Sequence, residues 1–501
     1  MSETKIINHW IDGGFQASAS DRFGNIYNPA TGAVIAKLPM GGAVDLETAV
    51  KSARHAFHSW STTSITKRAQ LMFKFKELLE LHRDELVDIV SLEHGKVIPD
   101  AAGSLQRGIE VVEFACGIPH LLKGEFSEQV GTGVDCYSMR QPIGVCAGVT
   151  PFNFPAMVPM WMFPIAIVCG NCFILKPSEK DPSCSVKLAE LLKEAGLPDG
   201  VMNVVHGDKE MVDAILEHPD IATFSFVGST PVAEYVYNKA SSSGKRVQAL
   251  GGAKNHAVVM PDADLEQTAN AIIGAAYGSA GERCMAISAV IAVDSIAEPL
   301  KEILVRKMGA LKIGPGNDPS NDMGPLITKE HKKKVMNYIQ DGVSAGAELV
   351  IDGREHPITN GGEGFFLGPS LFDRVSPDMK IYLEEIFGPV LVMLRAKDFQ
   401  QALDLVNNNR FGNGVAVFTS NGSIAREFTN KVQIGMVGVN VAIPVPLAFY
   451  SFGGWKDSIY GSSNIYGMDG VRFFTKLKTV TTRWPDLNQS SAVDLSMPTV
   501  E

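Results

Sequence analysis

Cys284 lies in the stretch GSAGERCMAIS, where a helical pattern runs out into small residues. That context exposes a sulfur and surrounds it with backbone N–H groups, and Arg283 adds a positive neighbour. Nearby cations and amide dipoles favour the thiolate, which attacks carbonyl carbon at neutral pH. An isolated cysteine is more often a small buried hydrophobe, so the assignment needs a second group. TPFNFP, Thr150 to Pro155, offers one: Asn153 is a polar side chain among apolar and proline neighbours. An amide N–H₂ held there can donate to the oxyanion formed when sulfur adds to an aldehyde, a contribution of about 3 kcal/mol. The plainer reading of Asn153 is a turn residue.

The run FILKPSEK ends a β-rich segment in Lys176, Glu179 and Lys180. Lys176 and Glu179 can hold the hydroxyls of an adenosine ribose, and a carboxylate there repels the 2′-phosphate of NADP, so NAD is the expected cofactor. FVGST, Phe226 to Thr230, runs from a strand into a helix N-terminus suited to pyrophosphate. No GxGxxG fingerprint supports these motifs. Cys169 and Cys172 form C-G-N-C, but no second Cys or His pair lies near enough in sequence to complete a tetrahedral metal site, and they are expected to pack.

These motifs need positioning elements, and the chain between Ile143 and Leu250 supplies them. Short β-rich runs (GVCAGVT, CFILKP, VMNVV, ATFSFVG, RVQAL) alternate with helical stretches at 157–168, 186–195, 211–217 and 232–240. This repeated βαβ pattern predicts parallel strands covered by helices, with the loop at Thr150 to Pro155 at a carboxyl end where ligands bind. A turn at 251–253 opens a second α/β segment, with AVVM and a helix over 265–276, and that segment carries Cys284. Strands near 129–140 and 479–484 stand apart from both and are expected to pair across subunits. The tail after Trp484 is expected to be loosely held.

With 501 residues, 45% of them hydrophobic and 20% charged, the chain can bury a large core in two or more domains. The net charge of −10 gives no attraction to nucleic acid or anionic membranes. The apolar run 156–169 contains Pro159 and Pro164 and falls short of the ~20 residues that cross a bilayer. Seven cysteines in so long a chain do not form a secreted disulfide framework, and no secretory signal opens the sequence; a cytoplasmic setting is expected.

TPFNFP, LKPSE, FVGST, GERCMA and EEIFGPV, in this order and at these separations, resemble the aldehyde dehydrogenase superfamily along nearly the whole chain. The resemblance implies an α/β, aldehyde dehydrogenase-like fold. Its parts are a Rossmann-like NAD domain (1–121 and 142–250), a catalytic domain (251–465), and a bridging β-arm with a tail (122–141 and 466–501). It makes Cys284 the nucleophile and Asn153 the oxyanion donor. It also implies NAD contacts at Thr150, Phe152, Lys176, Glu179, Ser229, Gly251 and Glu385, with Phe387 beside the nicotinamide and Lys180 toward the adenine end. A homo-oligomer, dimer or tetramer, is expected.

One departure decides the subgroup. Hydrolytic members carry E-L-G-G-K, whose glutamate activates water; here the stretch is Leu250-Gly251-Gly252-Ala253-Lys254, and no acid occurs between Val247 and Pro261. Without that base, water attack on a thioester loses assistance of about 10²–10⁴-fold. Coenzyme A, a better nucleophile, is then expected to end the cycle. GAKNH, IPVPLAFYSFGGWKDS and YGMDGVRFFTKLKTVTTRW resemble the methylmalonate-semialdehyde dehydrogenase family. That family converts malonate or methylmalonate semialdehyde to acetyl- or propionyl-CoA with loss of the carboxylate, in valine or inositol breakdown. Such substrates need a cationic clamp, for which Arg283 and Arg107 are the candidates; either alone reads as a solvated arginine. Three alternatives stay open: a hydrolytic enzyme releasing free acid, a catalytically silent binding protein of the same fold, and a thiol hydrolase.

Overall fold

The computed structural model describes residues 5–484; the tail after Trp484 lies outside the described residues. The expected alternation is present. Val145–Val149, Cys172–Lys176, Met202–Val204, Ile221–Val227 and Arg246–Leu250 form the parallel heart of an eight-stranded sheet. Antiparallel edges close it: Ile459–Tyr460 on one side, His9–Ile11 and Gly14–Gln16 on the other. The helix Met157–Val168 has the predicted limits and is buried along its whole length. A helix apolar on every face has to be covered on every face, here by Ile98–Cys116, Ile65–Leu81 and the sheet.

A second, seven-stranded sheet is parallel from Ser370–Asp373 through Val390–Ala396, Ile287–Val293, Asn255–Val259 and Gly414–Phe418 to Met436–Val439, with Glu348–Ile351 antiparallel at one edge. Each sheet anchors its own buried apolar cluster. Cys169 and Cys172 lie inside the first.

The third unit is a three-stranded antiparallel sheet of Thr475–Arg483, Val134–Pro142 and Phe126–Gly131. The two segments expected to pair across subunits pair with each other within the chain, from Thr475 opposite Pro142 to Arg483 opposite Val134. Their alternating pattern specified strands; it did not specify the partner, which a ladder of backbone groups leaves open. No described helix is long and apolar enough to cross a membrane.

Candidate active site

Within the parallel heart of the first sheet the chain starts at Val145–Val149, adds strands on one side, then returns to add Ile221–Val227 and Arg246–Leu250 on the other. The reversal leaves a crevice at the carboxyl ends of Val145–Val149 and Ile221–Val227, where doubly wound sheets bind ligands. Val149 is in register with Lys176 on one side and Phe226 on the other, so Thr150, Lys176 and Ser229 share one rim. The Thr150 Oγ1 is buried with no hydrogen-bond partner among the described residues. Lys176 Nζ lies 3.0 Å from Glu179 Oε2. Burial pushes the Glu179 carboxyl up, but Lys176, its own backbone N–H and Lys180 together hold it below the usual range, so it is ionised.

Ser229 is exposed and caps the helix Thr230–Ser242, which has Pro231 in its first turn. The free N–H groups and dipole of that turn favour an anion. Beside it, Thr230 Oγ1 accepts the Gly252 N–H at 2.8 Å. A Cβ on Gly251 would stand 2.9 Å from the Asp457 carbonyl, so only bare backbone fits. This rim could hold a dinucleotide: it offers a Lys–Glu pair to hydroxyl groups, a helix N-terminus to an anion, and an unpartnered buried hydroxyl.

The nucleophile candidate faces this rim from the amino ends of the second sheet. After the helix Leu265–Tyr277 the chain turns sharply through Ser279, Ala280 and Gly281, all left-handed with φ of 54°, 50° and 73°. For residues with a Cβ that conformation costs about 1–2 kcal/mol each. Beyond this turn the backbone is firmly held: the Cys284 carbonyl accepts from Asn255 Nδ2 at 2.8 Å and Asn413 Nδ2 at 3.0 Å. Asn255 Oδ1 in turn accepts the Gly414 N–H at 2.9 Å, so two neighbouring strands of the second sheet fix the cysteine's peptide.

Cys284 is partly exposed and opens on a cavity shared with Ala253, Arg283, Glu385 and Phe387. Burial pushes its thiol up to about 12, and the Glu385 charge adds to this; the N–H groups of Cys284 and Met285, and Lys96, pull the other way. Arg283, the expected neighbouring cation, is paired with an acid. Its Nη2 lies 2.5 Å from Asp100 Oδ1 and its Nη1 donates to the Gly274 carbonyl. Arg107 is likewise engaged, with Glu110 at 2.7 Å and the carbonyls of Val445 and Pro446 at 2.9 and 2.8 Å. Burial pushes the Tyr466 phenol up, Arg107 draws it down and Cys284 adds to the rise. Arg107 and Cys284 thus both stand within electrostatic reach of one ring.

Of the remaining predicted residues, Glu385 and Phe387 line this cavity. Asn153 is buried, and its main-chain carbonyl accepts from Lys96 Nζ at 2.8 Å. Phe152 stands edge-on to Phe387 at 5.8 Å, with Lys180 Nζ 4.6 Å above its ring. Phe387 has a φ of 60°, and its carbonyl lies 2.6 Å from His331 Nε2. Glu385 Oε1 accepts the Ala253 N–H at 3.0 Å; burial pushes its carboxyl up to about 7. Leu250 is a buried apolar side chain at the end of its strand.

Sequence reasoning missed Asn255, Asn413, Lys96, His94, Glu282 and His331. Asn255 and Glu282 stand inside the stretches GAKNH and GERCMA, where a buried polar residue beside a nucleophile is a usable signal. The others come from distant segments and carry no local sign.

The aldehyde dehydrogenase family model matches residues 15–480. A malonate-semialdehyde dehydrogenase of Pseudomonas aeruginosa is 53% identical over 495 residues, 99% of each chain. A methylmalonate-semialdehyde dehydrogenase structure from Oceanimonas doudoroffii superposes with a TM-score of 0.95 at 54% identity, covering 96% of this chain and 99% of that one. A Sinorhizobium meliloti homologue solved in complex with NAD gives 0.96 at 54% identity, covering 97% and 99%. A family match over most of the chain, joined to this arrangement of cysteine, asparagine and dinucleotide rim, places the protein in the aldehyde dehydrogenase family.

Proposed function

We propose that this chain oxidises malonate or methylmalonate semialdehyde with NAD. Cys284 holds the oxidised fragment as a thioester and yields it to coenzyme A as acetyl- or propionyl-CoA, with loss of carbon dioxide. The observation that carries the acylating reading is Leu250, a buried apolar side chain where hydrolytic members place their glutamate. Relatives about half identical over nearly their full length, described as malonate-semialdehyde dehydrogenases, support the substrate.

Lys176 and Glu179 hold the adenosine ribose, Lys180 lies toward the adenine, and Thr150, Ser229 and Gly251 line the path of the pyrophosphate. Phe152, Glu385 and Phe387 border the nicotinamide end. When bound, NAD supplies a hydride acceptor and a positive ring. Cys284 Sγ adds to the aldehyde carbon while Asn153 Nδ2 and the Cys284 N–H stabilise the oxyanion. Arg107 and Arg283 exchange Glu110 and Asp100 for the substrate carboxylate. In the thioester, that carboxylate leaves as carbon dioxide because its electrons delocalise into the thioester carbonyl, and a solvent proton takes its place. The coenzyme A thiol then displaces Cys284.

The NAD domain is assigned to 1–121 and 142–250 and the catalytic domain to 251–465. An arm and a tail are assigned to 122–141 and 466–501, the arm joining subunits of a dimer or tetramer. All seven cysteines are unpaired, which supports a reducing, cytoplasmic setting.

Glu385 gives the hydrolytic alternative its one foothold, as the carboxylate among the described residues lining the cavity. A semialdehyde panel run with and without coenzyme A, with the acyl product identified by mass, separates the two. Acetyl- or propionyl-CoA formed only from the carboxylated aldehydes supports the proposal. Free acid at a rate indifferent to coenzyme A rejects it.

A further inference from the structure

Glu282 is wholly buried two residues before Cys284, and the proposed reaction does not use it. Its Oε1 accepts the Ile327 N–H at 3.2 Å and stands 3.5 Å from His331 Nε2, the nitrogen bonded to the Phe387 carbonyl. Its Oε2 has no hydrogen-bond partner among the described residues. It faces His94 Nε2 at 3.8 Å, which has none either. Both imidazoles border Phe152, the residue before Asn153, at 5.9 and 6.2 Å. One carboxyl group therefore stands between the loops that carry Cys284, Asn153 and Phe387.

The charged and titratable groups facing Glu282 are His94, His331, Lys96 and Lys180, with the Asp100–Arg283 pair beyond Lys96. Burial pushes the Glu282 carboxyl up to about 8, against the pull of the Ile327 N–H, Lys180 and Lys96. Burial holds His94 well below its ordinary value and His331 at about 4. Near neutral pH the acid carries its proton and both rings are uncharged. An unpartnered O–H then faces an unpartnered imidazole nitrogen across 3.8 Å, a gap that must shorten for a hydrogen bond to form.

We propose that Glu282 is a positioning residue: as a neutral acid it donates to His94 and, through its other oxygen, braces Ile327 and His331, holding the loops of Cys284, Asn153 and Phe387 in the register that hydride transfer requires. Ionisation removes the donor and leaves a negative charge buried beside the nucleophile loop. The inference rests on Cys284 being the nucleophile.

The test is kcat and KM for NAD from pH 6 to 10 in the wild type, Glu282→Gln, Glu282→Ala and His94→Phe. Glutamine keeps a donor of the same size and cannot ionise. The wild-type kcat is expected to fall above about pH 8, and Glu282→Gln to keep kcat within about threefold at pH 7 while losing that fall. Glu282→Ala and His94→Phe are expected to lower kcat about tenfold or more with KM for NAD nearly unchanged, as loss of alignment does. A Glu282→Gln profile that falls in parallel with the wild type overturns the proposal. So does wild-type kcat in His94→Phe, which decides the matter should Glu282→Ala fail to fold. Cys284→Ala is assayed alongside: NADH formation by that variant would remove the nucleophile assignment itself, whereas a null Cys284→Ala with unaltered Glu282 profiles would remove only the positioning role.

Discussion

A thiol held near 12 is a weak nucleophile at neutral pH. In the proposed reaction Cys284 therefore depends on the positive charge of bound NAD and on donors to the oxyanion. Asn153 is the proposed side-chain donor, and its loop is pinned by the Lys96 ammonium on its carbonyl. Asn153→Ala is expected to lower kcat by about 10²–10³-fold, the scale of a lost oxyanion donor. NAD affinity, measured by fluorescence titration, should stay unchanged. At this scale the sequence singled out residues that the fold does place at the candidate site: Cys284 on the cavity, and Lys176 paired with Glu179 at the rim. Adjacency did not foretell geometry for Arg283: it lines the cavity with Cys284, and its guanidinium pairs with Asp100 on the helix Ile98–Cys116. His94 and His331 could not be found at all, because folding alone brings them to Glu282.

Secondary structure was legible wherever proline, glycine and apolar runs punctuate it, which is why the strand–helix alternation from Val145 to Leu250 and the limits of Met157–Val168 emerge as read. The turn before the nucleophile was not, since Ser279 and Ala280 are poor signals for positive φ. Gly281 closes that turn with its own φ of 73°, and a Cβ there would stand 2.2 Å from the Gly388 carbonyl. The Cys284 loop and the Phe387 loop thus meet where only hydrogen fits. Gly281→Ala is expected to destabilise the fold by about 2–4 kcal/mol through combined strain and overlap, read as a lowered midpoint in thermal or urea unfolding. The activity of the surviving folded fraction should fall too, because the displaced loops are those that align Cys284 and Phe387.

The arm is a sheet with little cover of its own. Phe126, Leu477 and Trp484 are exposed on it, and its outer strands, Phe126–Gly131 and Thr475–Arg483, each present a free edge. Exposed apolar edges of this kind are places where chains join. Phe126→Asp combined with Leu477→Asp is expected to lower the molar mass measured by light scattering, with the far-ultraviolet spectrum unchanged. An unaltered mass would count against the arm as a subunit contact.

The seam at Ile459–Tyr460 has a consequence for how the molecule can be made. This late segment closes the edge of the first sheet beside Arg246–Leu250, and its neighbour Ser458 ties down Gly251 and Gly252 through its carbonyl and hydroxyl. A polypeptide ending at residue 250 would lack its border strand and the clasp on the next two glycines. That edge of the first sheet can therefore be finished only after residues 458–460 have left the ribosome, late in synthesis.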